Sequence, residues 1–284
     1  AALGLEAIGL TDRNSLAGVV RAYGALKDIR EDGLLAPHRV RTGSGPGEHV
    51  YVEAPLAPYV DPELLRQRAQ TFRFVAGARL VFADETPDIL AYPQDRAGWG
   101  RLCRLLTLGK RRARKGECLL TLHDLLAHAE GLLLIVMPAL NGTVRDLSAL
   151  PPVLERLAEA VPGAVWLACA MHRRGDDRRR LARLNQMALA AQVPLMAVND
   201  VLYDLPGQRD LQDIVTCIRQ GRTLENAGRL LEANGERHLK PATEMARLFA
   251  DVPDALHQTQ GGRTQAPMTG RVSDHGVGGD VGCP

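Results

Sequence analysis

What most constrains this chain is an alternation that holds from residue 5 to about residue 200. Short apolar runs of strand length are separated by stretches whose apolar residues return every three to four positions. The runs lie at 5–11, 74–82, 89–92, 132–137, 165–170 and 195–198. The helical patterns fall at about 96–108, 122–128, 150–160 and 177–191, and Leu16, Val19, Val20, Tyr23 and Leu26 open another behind the first run. Strands alternating with helices predict an α/β domain with a largely parallel sheet, open or closed into a barrel. In such domains reactive groups collect at the C-terminal ends of the strands.

Beyond Asp200 the strand signal stops. Leu211, Ile214, Val215 and Ile218, then residues 224–231, then 244–249, predict three short helices. The chain therefore divides into an α/β part at 1–205, a helical segment at 206–256 and a Gly-rich tail at 257–284. The tail lacks aromatic residues and periodicity, cannot bury enough apolar area to offset its ordering entropy, and is predicted to be disordered. A second interruption, at 31–71, carries Pro37, Pro46, Pro55, Pro58, Pro62 and the run Gly43-Ser44-Gly45-Pro46-Gly47. It reads as an inserted surface loop with room for a helix only at 62–70.

Several function classes are excluded or left open by composition. No run approaches the ~20 apolar residues of a membrane-spanning helix, so the chain is not expected to be membrane-integral. Net charge is +2 and names no partner. The five cysteines are scattered without a C-x-x-C pair and read as reduced cytoplasmic thiols. The start, Ala1-Ala2-Leu3-Gly4, has neither Met nor the regions of a signal peptide, and leads us to expect a chain that begins partway into something larger.

Two carboxylates sit where strands should end, Asp12 in Thr11-Asp12-Arg13-Asn14 and Asp200 in Asn199-Asp200-Val201. Either could bind metal or transfer protons, and either could equally cap the following helix. The glycines at 43–47 follow no strand, and neither phosphate-loop pattern occurs. The histidines offer no H-x-H, no H-E-x-x-H and no pair on one helix face. Positive charge does gather: Arg101, Arg104, Lys110, Arg111, Arg112, Arg114 and Lys115 fall within fifteen residues that hold no acid. A phosphate backbone suits such a run, and so does a solvated helix end. The second basic cluster, at 172–180, contains its own aspartates and reads as a salt-bridged loop and helix start.

Read together, four stretches resemble one family. LGLEAIGLTDRNSLAGVVRA at 3–22 looks like the second motif of the PHP domain at the N-terminus of bacterial C-family DNA polymerases. DRAGWGRLCRLLTLGKRRARKGECLLTLHDLLAHAEGLLLI at 95–135 resembles the following part of that domain, and VPLMAVNDVLY at 193–203 its last strand motif. LQDIVTCIRQG and ERHLKPATEMARLF look like the helical link toward the polymerase palm, and GKRRARKGEC with TDRN and AVNDV is closest to the error-prone branch. The resemblance implies a distorted (β/α)7 barrel, here lacking its first strand, followed by a small helical segment. It also implies a parent DNA polymerase that uses magnesium, acts on DNA in damage-induced translesion synthesis and repair, and works with damage-induced accessory proteins.

Departures from the family pattern carry as much information. Active PHP domains hold about three metal ions, beginning with an H-x-H pair for which this chain has no counterpart. Where the family has D-H, Asp12 is followed by Arg13; where it has G-x-E, Gly77 is followed by Arg79 at the third place; where it has D-x-H, Asp200 is followed by Leu202. Arginine is a cationic donor and leucine has no lone pair, so neither coordinates metal. The expectation is a metal-free domain needing no cofactor of its own and having no catalytic residue, with Asp12, Arg13, Arg79, Asp200 and Leu202 as vestigial positions. Arg13 or Arg79 is expected to neutralise Asp12 and Asp200. No paired palm carboxylates are present, and past residue 256 the text departs from the family, which suggests truncation or an altered reading frame. The competing readings are a PHP-type metal-dependent phosphoesterase or 3'–5' exonuclease, and a nucleic-acid-binding module working through Arg104, Lys110, Arg111, Arg112, Arg114 and Lys115.

Overall fold

A computed structural model of the chain describes residues 3, 5–32, 38–40, 50–52, 61–139 and 144–265. In chain order its first half holds β1 (Ala7–Arg13), α1 (Ala17–Asp32), β2 (His38–Val40), β3 (Val50–Val52), α2 (Pro62–Thr71), β4 (Arg73–Leu80) and β5 (Asp88–Pro93). Then come α3 (Arg96–Arg111), α4 (Leu122–Leu126), β6 (Leu132–Met137), α5 (Leu150–Ala160), β7 (Val165–Cys169), α6 (Asp177–Ala190) and β8 (Leu195–Ala197). The helical segment holds α7 (Arg209–Gln220), α8 (Leu224–Ala227), α9 (Ala242–Leu248) and α10 (Asp254–Gln265).

Six strands form one sheet in the order β1-β4-β5-β6-β7-β8. It is mixed rather than largely parallel, because β5 runs against both neighbours while the other pairings are parallel. The short link from Leu80 to Asp88 explains the reversal, since a parallel return needs a crossover of a dozen or more residues. One consequence matters for chemistry: β5 begins at the edge where the parallel strands end. The sheet is also curled. Flat, it would set β4 and β8 four strand spacings apart, about 19 Å, yet Arg79 on β4 meets Asp200 just past β8 at 2.8 Å. This curled, open sheet is compatible with a distorted barrel.

Alternation along the strands sorts side chains into two apolar layers. Ala78, Leu80, Ile89, Ala91, Leu132, Leu134, Val136, Val165, Leu167 and Leu195 face the helices and pack with Leu102, Leu105, Leu154 and Leu184. Val75, Leu90, Leu133, Ile135, Met137, Trp166 and Met196 line the opposite, inner face. Helix starts follow local chemistry. Asp95 accepts from the Gly98 amide at 2.7 Å to begin α3, and Thr121 with Asp124 forms a reciprocal capping box at α4.

The segment 31–71 is not a loop throughout. β2 and β3 pair antiparallel, and α2 starts at Pro62 behind the Asp61 cap, because proline at the first helical position initiates a helix instead of breaking one. Arg30 of α1 donates to the carbonyls of Ala69 and Phe72 at 2.9 Å each, and Leu65 and Ala69 are buried. The glycine run at 43–47 lies outside the described residues.

The helical segment has the helix expected around 211–218, and two of its features go beyond the sequence reading. On α7 the apolar stripe faces out, with Leu211 61% and Ile218 76% exposed, while Asp213, Thr216 and Cys217 are buried. Asp213 is held inward by the Arg209 guanidinium at 3.4 Å and the Glu232 amide at 3.4 Å. α10, for its part, runs to Gln265, past the boundary expected at 256. It is tied to the sheet: the Trp166 indole N–H donates to Gln258 Oε1 at 3.1 Å, and the Thr259 hydroxyl donates to the Ala197 carbonyl at 2.8 Å. The rest of the predicted tail, 266–284, lies outside the described residues.

Candidate functional site

Three neighbours at the end of β1 take three different paths. Period two puts Thr11 and Arg13 on the face of Gly77 and Arg79, and Asp12 on the face of Ala78, toward the helices. Asp12 accordingly accepts from the Gly18 amide at 2.6 Å at the start of α1. Gly18 permits that approach, since a Cβ there would lie 2.6 Å from the carboxylate. Arg13 reaches Asp88 at 3.5 Å. Asn14 extends the β1–β4 ladder, exchanging side-chain hydrogen bonds with the Val81 amide and carbonyl at 2.9 and 3.0 Å.

The two predicted carboxylates therefore do not meet. Asp200 instead lies between two guanidiniums, accepting from Arg79 Nη1 at 2.8 Å and Arg237 Nη2 at 2.7 Å. Arg79 also donates to Asp88 at 2.6 Å; Arg237 donates to Glu232 at 2.7 Å, and Glu232 meets Arg174 at 3.3 Å. The result is a continuous alternation of charge, Arg13, Asp88, Arg79, Asp200, Arg237, Glu232, Arg174, across the strand ends. Burial works against the Arg79 charge, but the carboxylates of Asp200 and Asp88 outweigh it and hold its pKa above the ordinary arginine value. Asp200 adopts a left-handed backbone, φ 45°, and its carbonyl accepts from Arg237 Nε at 2.8 Å. Leu202 lies half-exposed beside it and donates its amide to the Arg237 carbonyl at 2.9 Å.

Below the charges lies Tyr92. Burial pushes its hydroxyl up to about 12, against the hydrogen bond from Thr11. Its ring occupies room that only glycines leave, since a Cβ on Gly9 or Gly77 would sit 2.5 Å from it. Beside Asp200, the buried His172 donates from Nε2 to the Asn199 carbonyl at 2.8 Å. Its Nδ1 has no hydrogen-bond partner among the described residues, and burial together with Arg237 and Arg174 holds the imidazole below its ordinary range, so the ring is neutral at pH 7.

The donor set does not fit a hydrolytic metal cluster. Asp12 faces the helix layer, both Asp200 oxygens carry a guanidinium, and Arg13, Arg79 and Leu202 offer no lone pair. Among the described residues no group of three or more His, Cys, Asp and Glu side chains is arranged to hold a metal ion. Sequence reasoning singled out Arg79 and Asp200 and missed Asp88, Arg237 and Glu232. Asp88 was visible as an acid opening an apolar run, but its position follows only from the reversal of β5.

The basic run separates into two kinds of residue. Arg101 pairs with Glu130 at 2.6 Å, and Arg112 with Asp124 at 2.7 Å. Arg104, Lys110, Arg111, Arg114 and Lys115 are exposed and make no ion pair with a described residue. In the second cluster the arginines reach the helical segment: Arg173 pairs with Glu236 and Glu244, and Arg178 with Asp251. No described helix is long and apolar enough to cross a membrane.

No family model matches the chain. It is, however, 49% identical over 257 residues to a protein named error-prone DNA polymerase from Rhodopseudomonas palustris strain BisB5, covering 90% of this chain and 20% of that relative. Proteins of the same name from Bradyrhizobium diazoefficiens and Brucella suis are 47% and 45% identical over 90% and 91% of this chain. The chain spans about a fifth of the length of these relatives. It is thus homologous to one segment of proteins called error-prone DNA polymerase.

Proposed function

We propose that this chain serves as the PHP-like scaffold segment of an error-prone DNA polymerase, held together by ion pairs where metal-binding members of the fold carry ligands. The single observation behind this reading is the placement of Arg79 and Arg237 on Asp200, at 2.8 and 2.7 Å, at the edge where the parallel strands end. A guanidinium there supplies the positive charge a metal would supply, and it neither polarises a water nor exchanges ligands. The segment then contributes shape and rigidity, and phosphoryl-transfer chemistry belongs to a palm with paired carboxylates and magnesium. In the parent protein that activity extends primers past lesions in the cytoplasm during damage-induced synthesis, alongside damage-induced accessory proteins.

Elemental analysis of the purified chain, joined to an assay for nucleotide release from a labelled single strand with manganese, tests the reading. The expected result is well under one equivalent of bound zinc or manganese and no release. Stoichiometric metal, or manganese-dependent release that disappears in Asp200→Asn, would overturn it in favour of the phosphoesterase or exonuclease alternative.

A further inference from the structure

The turn after α3 is a built platform. Its chain doubles back under three backbone hydrogen bonds: Ala113 to the Lys110 carbonyl, Glu117 to the Arg114 carbonyl at 2.9 Å, and Leu119 to the Gly109 carbonyl at 3.0 Å. Gly109 is packed so closely that a Cβ would lie 2.6 Å from Cys118 and from Leu120, and Leu120 is fully buried. Arg112, itself half-exposed, ties the turn to α4. It donates to both oxygens of the buried Asp124, at 2.8 and 2.7 Å, while Asp124 also accepts from the Thr121 amide and hydroxyl. Burial disfavours the Asp124 carboxylate, but the hydrogen bonds from Arg112 and Thr121 outweigh it and keep the pKa below the ordinary value.

What the anchored turn displays is charge without an ion-pair partner among the described residues. Arg104, Lys110, Arg111, Arg114 and Lys115 point into solvent, with Glu117 the one acid on the turn. The dipole of α3 accounts for Lys110 and Arg111 in its last turn and falls off beyond it. It does not account for Arg104, two turns earlier on the face of Arg111, nor for Arg114 and Lys115 past the helix end. Gathering five like charges on a fixed turn costs self-repulsion, which a polyanion relieves. Residues 100–120 contain no aromatic side chain, so base stacking is not on offer.

We propose that this turn binds the phosphate backbone of DNA, without reading bases, through Arg104, Lys110, Arg111, Arg114 and Lys115, with Arg112 positioning the turn through its pair with Asp124. The choice of DNA over other polyanions rests on the polymerase reading above; the surface itself does not. Arginine supplies forked donors that match phosphate oxygens, and the fixed turn lowers the ordering cost of presenting them. About four phosphate contacts imply a log–log salt slope of roughly −3 on a single strand.

The test is fluorescence anisotropy of a labelled oligonucleotide, single-stranded and duplex, with the full chain across a salt series. Arg111→Glu/Arg114→Glu is compared with Arg222→Glu/Arg229→Glu, which changes net charge equally at another surface. The expected result is binding that weakens steeply with salt, does not depend on sequence, and falls at least about tenfold in the first variant with a shallower slope. The second variant stays within about twofold, and thermal melts of both match the parent. Absent or salt-insensitive binding overturns the proposal, as does equal loss in both variants. Binding to anionic vesicles but not to DNA overturns it in favour of a membrane surface. Metal content and nucleotide release are read separately, so failure here is distinguishable from failure of the scaffold reading.

Discussion

His172 shows how much a single side chain can report about its surroundings. It is 1% exposed, donates from Nε2 to Asn199, and lies among Arg237, Arg174 and Asp200, so protonating it would place a charge in a buried site beside two guanidiniums. Its folded pKa lies below the unfolded value, near 6.5. The stability it contributes is therefore present above pH 6.5 and is lost as pH falls below it toward the folded value. We expect urea midpoints to fall between pH 7 and pH 5, with a slope of up to about 1.4 kcal/mol per pH unit from this residue. His172→Gln keeps a donor for the carbonyl but does not titrate, and its profile should be flatter; superimposable profiles would refute the assignment. The sequence alone did not single this histidine out. It names the residue types at Arg79 and Asp200 and so the loss of ligands, but Arg237 and Glu232 arrive from a segment over thirty residues downstream, and no local pattern announces that meeting.

Among the elements, the strands and most helices were legible because apolar periodicity agrees with the packing, while the caps that start two of them, Asp95 before α3 and Thr121 before α4, emerge from the structure. Strand direction was not legible. The apolar pattern of β5 looks like that of the strands beside it, and only the short link before it encodes the reversal. α7 was legible as a helix but not in its orientation: periodicity reports that a stripe exists but not which side meets the core, and here Asp213 and Thr216 take the inner side. Glycines sort the same way once contacts are known. In α3 a Cβ on Gly98 would lie 2.2 Å from the Gly131 carbonyl, backbone against backbone, so the helix can approach β6 only without a side chain there. In α1 nothing lies within 4 Å of the position a Cβ on Gly24 would take. Gly24→Ala should stabilise by about 0.5–1 kcal/mol through helix propensity, and Gly98→Ala should destabilise by about 1–3 kcal/mol through overpacking. Chemical denaturation of the two variants side by side checks both signs, and a stabilising Gly98→Ala would contradict the close approach.

For the molecule as a whole, apolar packing runs across the change of secondary structure near residue 205. Phe249 is fully buried, and it joins Ala255 in the same apolar layer as β4 to β8, with Met245, Leu248, Val252 and Leu256 packed alongside. Polar joints run in parallel with this apolar one. Arg237 and Glu232 carry the charge network from the sheet edge into the helical segment, Arg173 reaches Glu236 and Glu244, and the Asn199 amide donates to the His238 carbonyl. α10 lies against the edge strand β8, which would otherwise leave backbone groups unpaired and open to other chains. If helical segment and sheet are one cooperative unit, a cavity in the segment should weaken everything. Phe249→Ala removes a fully buried ring at a cost of about 3 kcal/mol, a large part of the 5–15 kcal/mol that separates a typical folded domain from its unfolded state. The expected outcome is a single transition shifted down by roughly 8 °C, coincident by far-ultraviolet circular dichroism and by the combined fluorescence of Trp99 and Trp166. An independently folded segment would behave otherwise: far-ultraviolet circular dichroism would show two steps, an early partial loss of helical signal and a later melt of the sheet, and that result would refute a single cooperative unit.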